Sequence, residues 1–179
     1  MPEANPPTLS ADRADAGCRE AKTVLVAKAN TIVEADAEKL FGIVGDGERH
    51  GVAIPDVETV EFETRMTSGL GARFRETRHL TGFTALVARL SKMESSLVEC
   101  TGFVAGQRVQ YTSNAGGTRW HSVYTLSPVN EGRTHLELRL ETEPHSLLGR
   151  LGPPLMRSVL QKVTTSDLEA IKAYAEGQA

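Results

Sequence analysis

The run Ser146 to Gly177, SLLGRLGPPLMRSVLQKVTTSDLEAIKAYAEG, decides the fold. Leu148, Leu151, Leu155, Val159 and Val163 recur at three- and four-residue steps, which puts them on one face of a 3.6-residue helix. Ala170, Ile171 and Tyr174 continue the stripe. Gly152-Pro153-Pro154 interrupts it early. Ser146 to Leu151 therefore reads as a short lead-in, and Pro154 as an early position of the helix proper, where a missing N–H is tolerated. Gly177 supplies the stop. A helix this long cannot bury its stripe alone, and what precedes it is mostly strand-like. Its natural partner is an antiparallel sheet.

Working back from the helix, Thr118 to Ser127 and Thr134 to Glu143 form the clearest strand pair. Leu136, Leu138 and Leu140 point one way, while His135, Glu137, Arg139 and Glu141 point the other, as in a sheet with one wet face. Asn114-Ala115-Gly116-Gly117 is a hairpin signal ahead of them. Further strands are read at Thr23 to Val33, Val57 to Arg65, Ala72 to Leu80, Met93 to Phe103 and Arg108 to Ser113. Asp36 caps a short helix to Val44, and Glu48 to Gly51 adds a further turn. Phe83 to Lys92 reads either as a helical lid or as a long hairpin end. The expected class is α+β: about seven curved antiparallel strands around a long C-terminal helix, with one or two short helices after the first strand. A strongly bent sheet leaves a cavity under that helix.

Composition narrows the partners. The 179 residues fit one domain, 22–179, behind a proline-bearing tail, 1–21, that is expected to stay disordered. A net charge of −3 without a basic stripe argues against nucleic acid. No 18-residue apolar run is present, so no stable membrane insertion is expected. Cys18 and Cys100 make no disulfide framework, which fits a reduced, cytoplasmic setting. His50, His79, His121, His135 and His145 form no i, i+4 pair, and neither metal nor cofactor is expected. A homodimer stays open.

Candidate site residues follow from strand phase. Trp120, Ser122, Tyr124 and Leu126 share a face, and Leu126 should point inward. Trp120 and Tyr124 are then an aromatic wall, which Tyr111 could join. With Phe41, Leu136, Leu138, Leu155, Val159 and Val163 they make the expected ligand-binding set. His121 would point outward at the surface, and Cys100 would be a small core residue. Acid–base candidates are His79, Glu76 and His50.

Four runs carry a family resemblance. They are Ala35-Asp36-Ala37-Glu38-Lys39-Leu40-Phe41, Gly71 to Arg78, Tyr124-Thr125-Leu126-Ser127-Pro128 through Arg133-Thr134, and Leu147 to Glu176. Through them the chain resembles the START-like superfamily, also called SRPBCC or helix-grip proteins, in its polyketide cyclase/dehydratase and lipid-transport branch. The resemblance spans roughly Thr23 to Glu176. It departs at His50-Gly51-Val52-Ala53-Ile54-Pro55, where the family often has Trp-x-Pro, and at Phe83 to Lys92, which looks inserted.

The resemblance implies a helix-grip fold and a hydrophobic small-molecule ligand: a lipid, isoprenoid or polyketide-like compound. As an alternative it implies an aromatase/cyclase, with Arg75 as the cavity-facing arginine that orients an enolate and His79 as acid or base. The competing reading leaves Arg73, Arg75 and His79 on the solvated face, with Arg73 and Arg75 paired with strand neighbours such as Glu61 or Glu63, because Phe74 and Leu80 need the core. A third class is a partner-binding domain with a filled core and no cavity.

Overall fold

The computed structural model describes residues 23–79 and 95–177, with no side chains for 147–149. The expected tail, the segment 83–92, Cys18, Leu80 and the side chain of Leu148 lie outside the described residues.

The first strand, β1 (Val24–Val33), is followed by two helices, α1 (Ala37–Val44) and α2 (Gly47–Ala53). Each starts at an aspartate. Asp36 Oδ1 accepts the Lys39 N–H at 2.7 Å, and Asp46 Oδ1 accepts those of Glu48 and Arg49 at 3.0 and 3.2 Å. The rest of the sheet is β2 (Val57–Phe62), β3 (Arg73–Arg78), β4 (Ser95–Val104), β5 (Arg108–Ala115), β6 (Thr118–Asn130) and β7 (Arg133–Pro144). All neighbours are antiparallel, in the order β1-β7-β6-β5-β4-β3-β2. Ala115 pairs with Thr118, and Gly116 and Gly117 between them both have positive φ (59° and 69°), as a two-residue primed turn requires. Register shifts at Leu25/Ala27, Val57/Thr59, Cys100/Gly102 and Pro128/Asn130 mark bulges, which bend and twist strands. This is the helix-grip architecture.

Two helices end the chain: α3 (Leu147–Leu155) and α4 (Arg157–Ala175). The break therefore falls at Met156, not at Gly152-Pro153-Pro154 as the sequence suggests. Pro153 and Pro154 remove two donors in the last turn of α3, and the helix ends one residue later. Ahead of this break Leu155 is 84% exposed and Leu151 66% exposed. The buried stripe of α4 is Leu160, Thr164, Asp167, Leu168, Ile171 and Ala175.

The terminal helix also closes a sheet edge. The Gln161 amide donates to the Lys28 carbonyl at 2.8 Å and accepts the Lys28 N–H at 3.2 Å. Glu176 Oε1 accepts the Glu34 N–H at 2.8 Å. These side chains occupy backbone groups that an edge strand otherwise leaves open.

Helix α2 sits tightly on β2 through Gly51. A Cβ there would lie 2.4 Å from Val60 Cγ2, and a β-branched neighbour cannot swing away. Gly51→Ala is expected to destabilise the fold by about 1–3 kcal/mol, the range for overpacking. Thermal melting checks this; a fall of roughly 2–12 °C is expected.

Candidate functional site

Phe74 sets the phase of β3. It is 1% exposed and meets Phe62 and Tyr111 at ring-centroid distances of 5.6 and 5.7 Å. Period two then turns Glu76 and Arg78 inward with it. Arg75 and His79 are turned outward, which corrects the catalytic roles that the family resemblance implied for them. Arg75 pairs with Glu63 at 3.0 Å and His79 with Glu58 at 2.9 Å, with the Arg75 and His79 side chains 47% and 64% exposed. Arg73 pairs with Glu99 at 2.8 Å.

The inward rows run straight across the sheet. Phe74 is opposite Val98, Val98 opposite Ser113, Ser113 opposite Trp120, and Glu76 opposite Ser96. Tyr111 is opposite Ser122, Ser122 opposite Leu140, and Tyr124 opposite Leu138. All of these line one cavity of about 220 Å³, roofed by Met156, Val159, Leu160, Val163, Thr164 and Asp167. Tyr111, Trp120, Tyr124, Leu138, Val159 and Val163 are thus brought together. Three expected ligand contacts are not. Phe41 packs edge-on against Phe103 at 5.1 Å, Leu136 is fully buried in the core, and Leu155 faces solvent.

Two polar sets interrupt the apolar wall. In the first, the Arg78 guanidinium donates through Nε to the Glu76 carboxylate and through Nη1 to Asp167 Oδ2 at 2.9 Å. This triad ties β3 to α4. Burial opposes ionisation of Glu76, but Arg78 outweighs it and holds that carboxyl below the usual range. Burial prevails at Asp167, whose pKa is raised despite Arg78. Burial likewise disfavours the charge on Arg78, and its two carboxylates more than restore it.

The second set is His50 of α2 with Tyr124 of β6. His50 Nε2 is 2.8 Å from the Tyr124 hydroxyl, and the ring lies 5.4 and 5.6 Å from those of Tyr124 and Tyr111. His50 is 5% exposed, and its Nδ1 has no hydrogen-bond partner among the described residues. Burial lowers its pKa, so the ring is neutral, and Glu76, Arg78 and Asp167 all act on it electrostatically. Burial also raises both tyrosines; the Tyr111 hydroxyl donates to the Val44 carbonyl at 2.9 Å. In the tautomer with its proton on Nε2, His50 donates to the Tyr124 oxygen. That leaves Nδ1, on another edge of the ring, with an unshared lone pair, and the Tyr124 O–H free to donate.

The sign of the His50 shift gives a test. The unfolded ring, near 6.5, binds a proton that the folded ring refuses. Stability is therefore expected to fall as pH drops below 6.5 towards the folded-state value. Melting temperatures from about pH 7.5 to 5 should decline less steeply in His50→Gln than in the wild type. Asp167, with its opposite shift, remains in both proteins, so parallel curves would contradict the buried neutral ring.

Sequence reasoning missed Arg78 and Asp167. Arg78 shares the phase of Phe74, and Asp167 stands four residues from both Val163 and Ile171, on the apolar stripe. The expectation for His121 needs correction: on the outer face it is only 8% exposed, covered by Thr112 at 2.8 Å and by Glu143. Cys100 is buried, and burial raises its thiol pKa. Among the described residues no three His, Cys, Asp or Glu side chains stand together as a metal site.

Residues 25–176 match the polyketide cyclase/dehydrase and lipid transport family. The chain belongs to that family. Among solved structures, the Zhui aromatase/cyclase from Streptomyces sp. R1128 matches with a TM-score of 0.65 and 16% identity, over 87% of this chain and 94% of that one. Norcoclaurine synthase from Thalictrum flavum, solved with dopamine and hydroxybenzaldehyde, matches with a TM-score of 0.63 and 11% identity, over 98% and 99%. A conserved protein from Geobacillus kaustophilus gives 0.63 and 13%, over 84% and 94%. At such identities these structures carry the fold of the family, not an activity. No curated protein sequence matches the chain. No helix among the described residues is long and apolar enough to cross a membrane.

Proposed function

We propose that this member of the polyketide cyclase/dehydrase and lipid transport family encloses a small, flat, largely apolar molecule between its sheet and α4. The observation that carries the reading is the hollow of about 220 Å³ itself, walled by Trp120, Tyr124, Leu138, Leu160 and Val163. A filled core would have argued for a partner-binding domain instead. The volume suits a compact aromatic, isoprenoid or polyketide-like compound better than a long-chain lipid. Native mass spectrometry of protein purified from its own host tests this. A co-purifying small molecule released on denaturation is the expected result. Protein that arrives empty and binds no naphthol in calorimetry overturns it.

A second reading, proton transfer on the bound molecule, is favoured by the His50 ring, which holds the Tyr124 hydroxyl through Nε2 and has an orphaned Nδ1. A neutral imidazole would remove a proton from carbon next to a carbonyl, and the phenol would hydrogen-bond the enolate oxygen that forms. Uptake of solvent deuterium by tetralone, followed by proton NMR, is expected to be accelerated by the wild type. His50→Gln should lose roughly 10²-fold of that acceleration. Equal rates in the two proteins exclude His50 as the base.

A further inference from the structure

The cavity has an unusual charge balance for a hydrophobic site. Of the described side chains that line it, Arg78 alone carries a positive charge, because burial keeps His50 neutral. The charge of Arg78 is already offset by two carboxylates. Its Nε is engaged by Glu76 and its Nη1 by Asp167. Two buried carboxylates face one guanidinium, so the cluster carries one negative charge in excess. Protonation of Asp167 would bring it to neutrality, never to a positive charge. Each carboxylate side chain is 9% exposed, so solvent screens the cluster poorly.

We propose that the cavity sorts its ligands by charge, taking uncharged or cationic hydrophobic molecules and excluding carboxylates and other anions, free fatty acids included. The proposal rests on the reading that the hollow binds a small hydrophobic molecule, and it narrows the class of that molecule. The physical reason is local. A carboxylate entering the hollow would lose its hydration, find the Arg78 charge already offset by Glu76 and Asp167, and meet the excess negative charge in a medium of low dielectric constant. A hydroxyl or carbonyl avoids both penalties. An ammonium group recovers part of its hydration through Asp167 and Glu76.

Isothermal titration of three molecules with one skeleton tests this near neutral pH: naphthol, naphthylmethylamine and naphthoate. Naphthol and the amine are expected to bind, with naphthoate at least about tenfold weaker than naphthol. Asp167→Asn should shrink the ratio between naphthol and naphthoate affinities by about tenfold, with circular dichroism reporting that the variant is folded. Should that variant not fold, the wild-type series still decides. Naphthoate binding as tightly as naphthol would overturn the charge rule and leave the binding reading standing. Failure of all three to bind would remove the binding reading, and this proposal with it.

Discussion

Arg78→Met is expected to destabilise the protein by about 3–5 kcal/mol, the range found when one partner of a buried ion pair is removed. The substitution keeps most of the side chain's length and apolar stem. What it removes is the one cation shared by Glu76 and Asp167, whose side chains are each 9% exposed. Both carboxylates would then have to be solvated, protonated or expelled. Asp167 sits on α4 and Glu76 on β3, so expulsion would loosen the helix from the sheet. For a domain of this size the melting temperature should drop by roughly 6–20 °C. Urea denaturation measures the free energy directly. Replacing the triad together, as Glu76→Gln, Arg78→Met and Asp167→Leu, is expected to recover most of the loss, because no charge is then left unpaired. A single-variant loss below about 1 kcal/mol would mean that the triad behaves as an exposed surface pair.

Filling the hollow should remove binding without unfolding the chain. Val163 lines the cavity from α4 and is only half-buried, so a larger side chain there can enter the empty space. Val163→Trp is expected to displace a bound naphthol from about 120 Å² of apolar contact, which at about 25 cal/mol per Å² is near 3 kcal/mol. The expected result is a loss of affinity of roughly 100-fold, read by calorimetry, with far-ultraviolet circular dichroism unchanged. Unaltered affinity would place the ligand somewhere other than beneath α4.

The fold was legible because two periodicities survive in the chain. The alternation of Leu136, Leu138 and Leu140 against Glu137, Arg139 and Glu141 marks a strand with one dry face. The stripe through Val159, Val163 and Ile171 marks the helix that covers it. The aromatic wall followed from the same logic, since an inward Leu126 carries Trp120 and Tyr124 inward with it. The two facings that the sequence allows for β3 have a clear cause. Phe74 argued for an outward Arg75, and the family analogy argued against it; the local packing requirement was the stronger physical constraint. Asp167 was hidden because its face was read from its apolar members only. A carboxylate among them draws notice once Arg78 is known to lie opposite. The bend at Met156, and with it the exposure of Leu155, depends on how far a helix continues beyond two prolines, which residue identity alone does not set.

The bonds from Gln161 to Lys28 join residues 133 positions apart in the chain. β1, near the start, likewise finds its ladder partner in β7. During synthesis the first strand therefore waits, with no lasting mate, until both distant segments have left the ribosome. Maturation of this molecule is thus a late and abrupt event, and a chain stalled before α4 would be prey for chaperones and proteases.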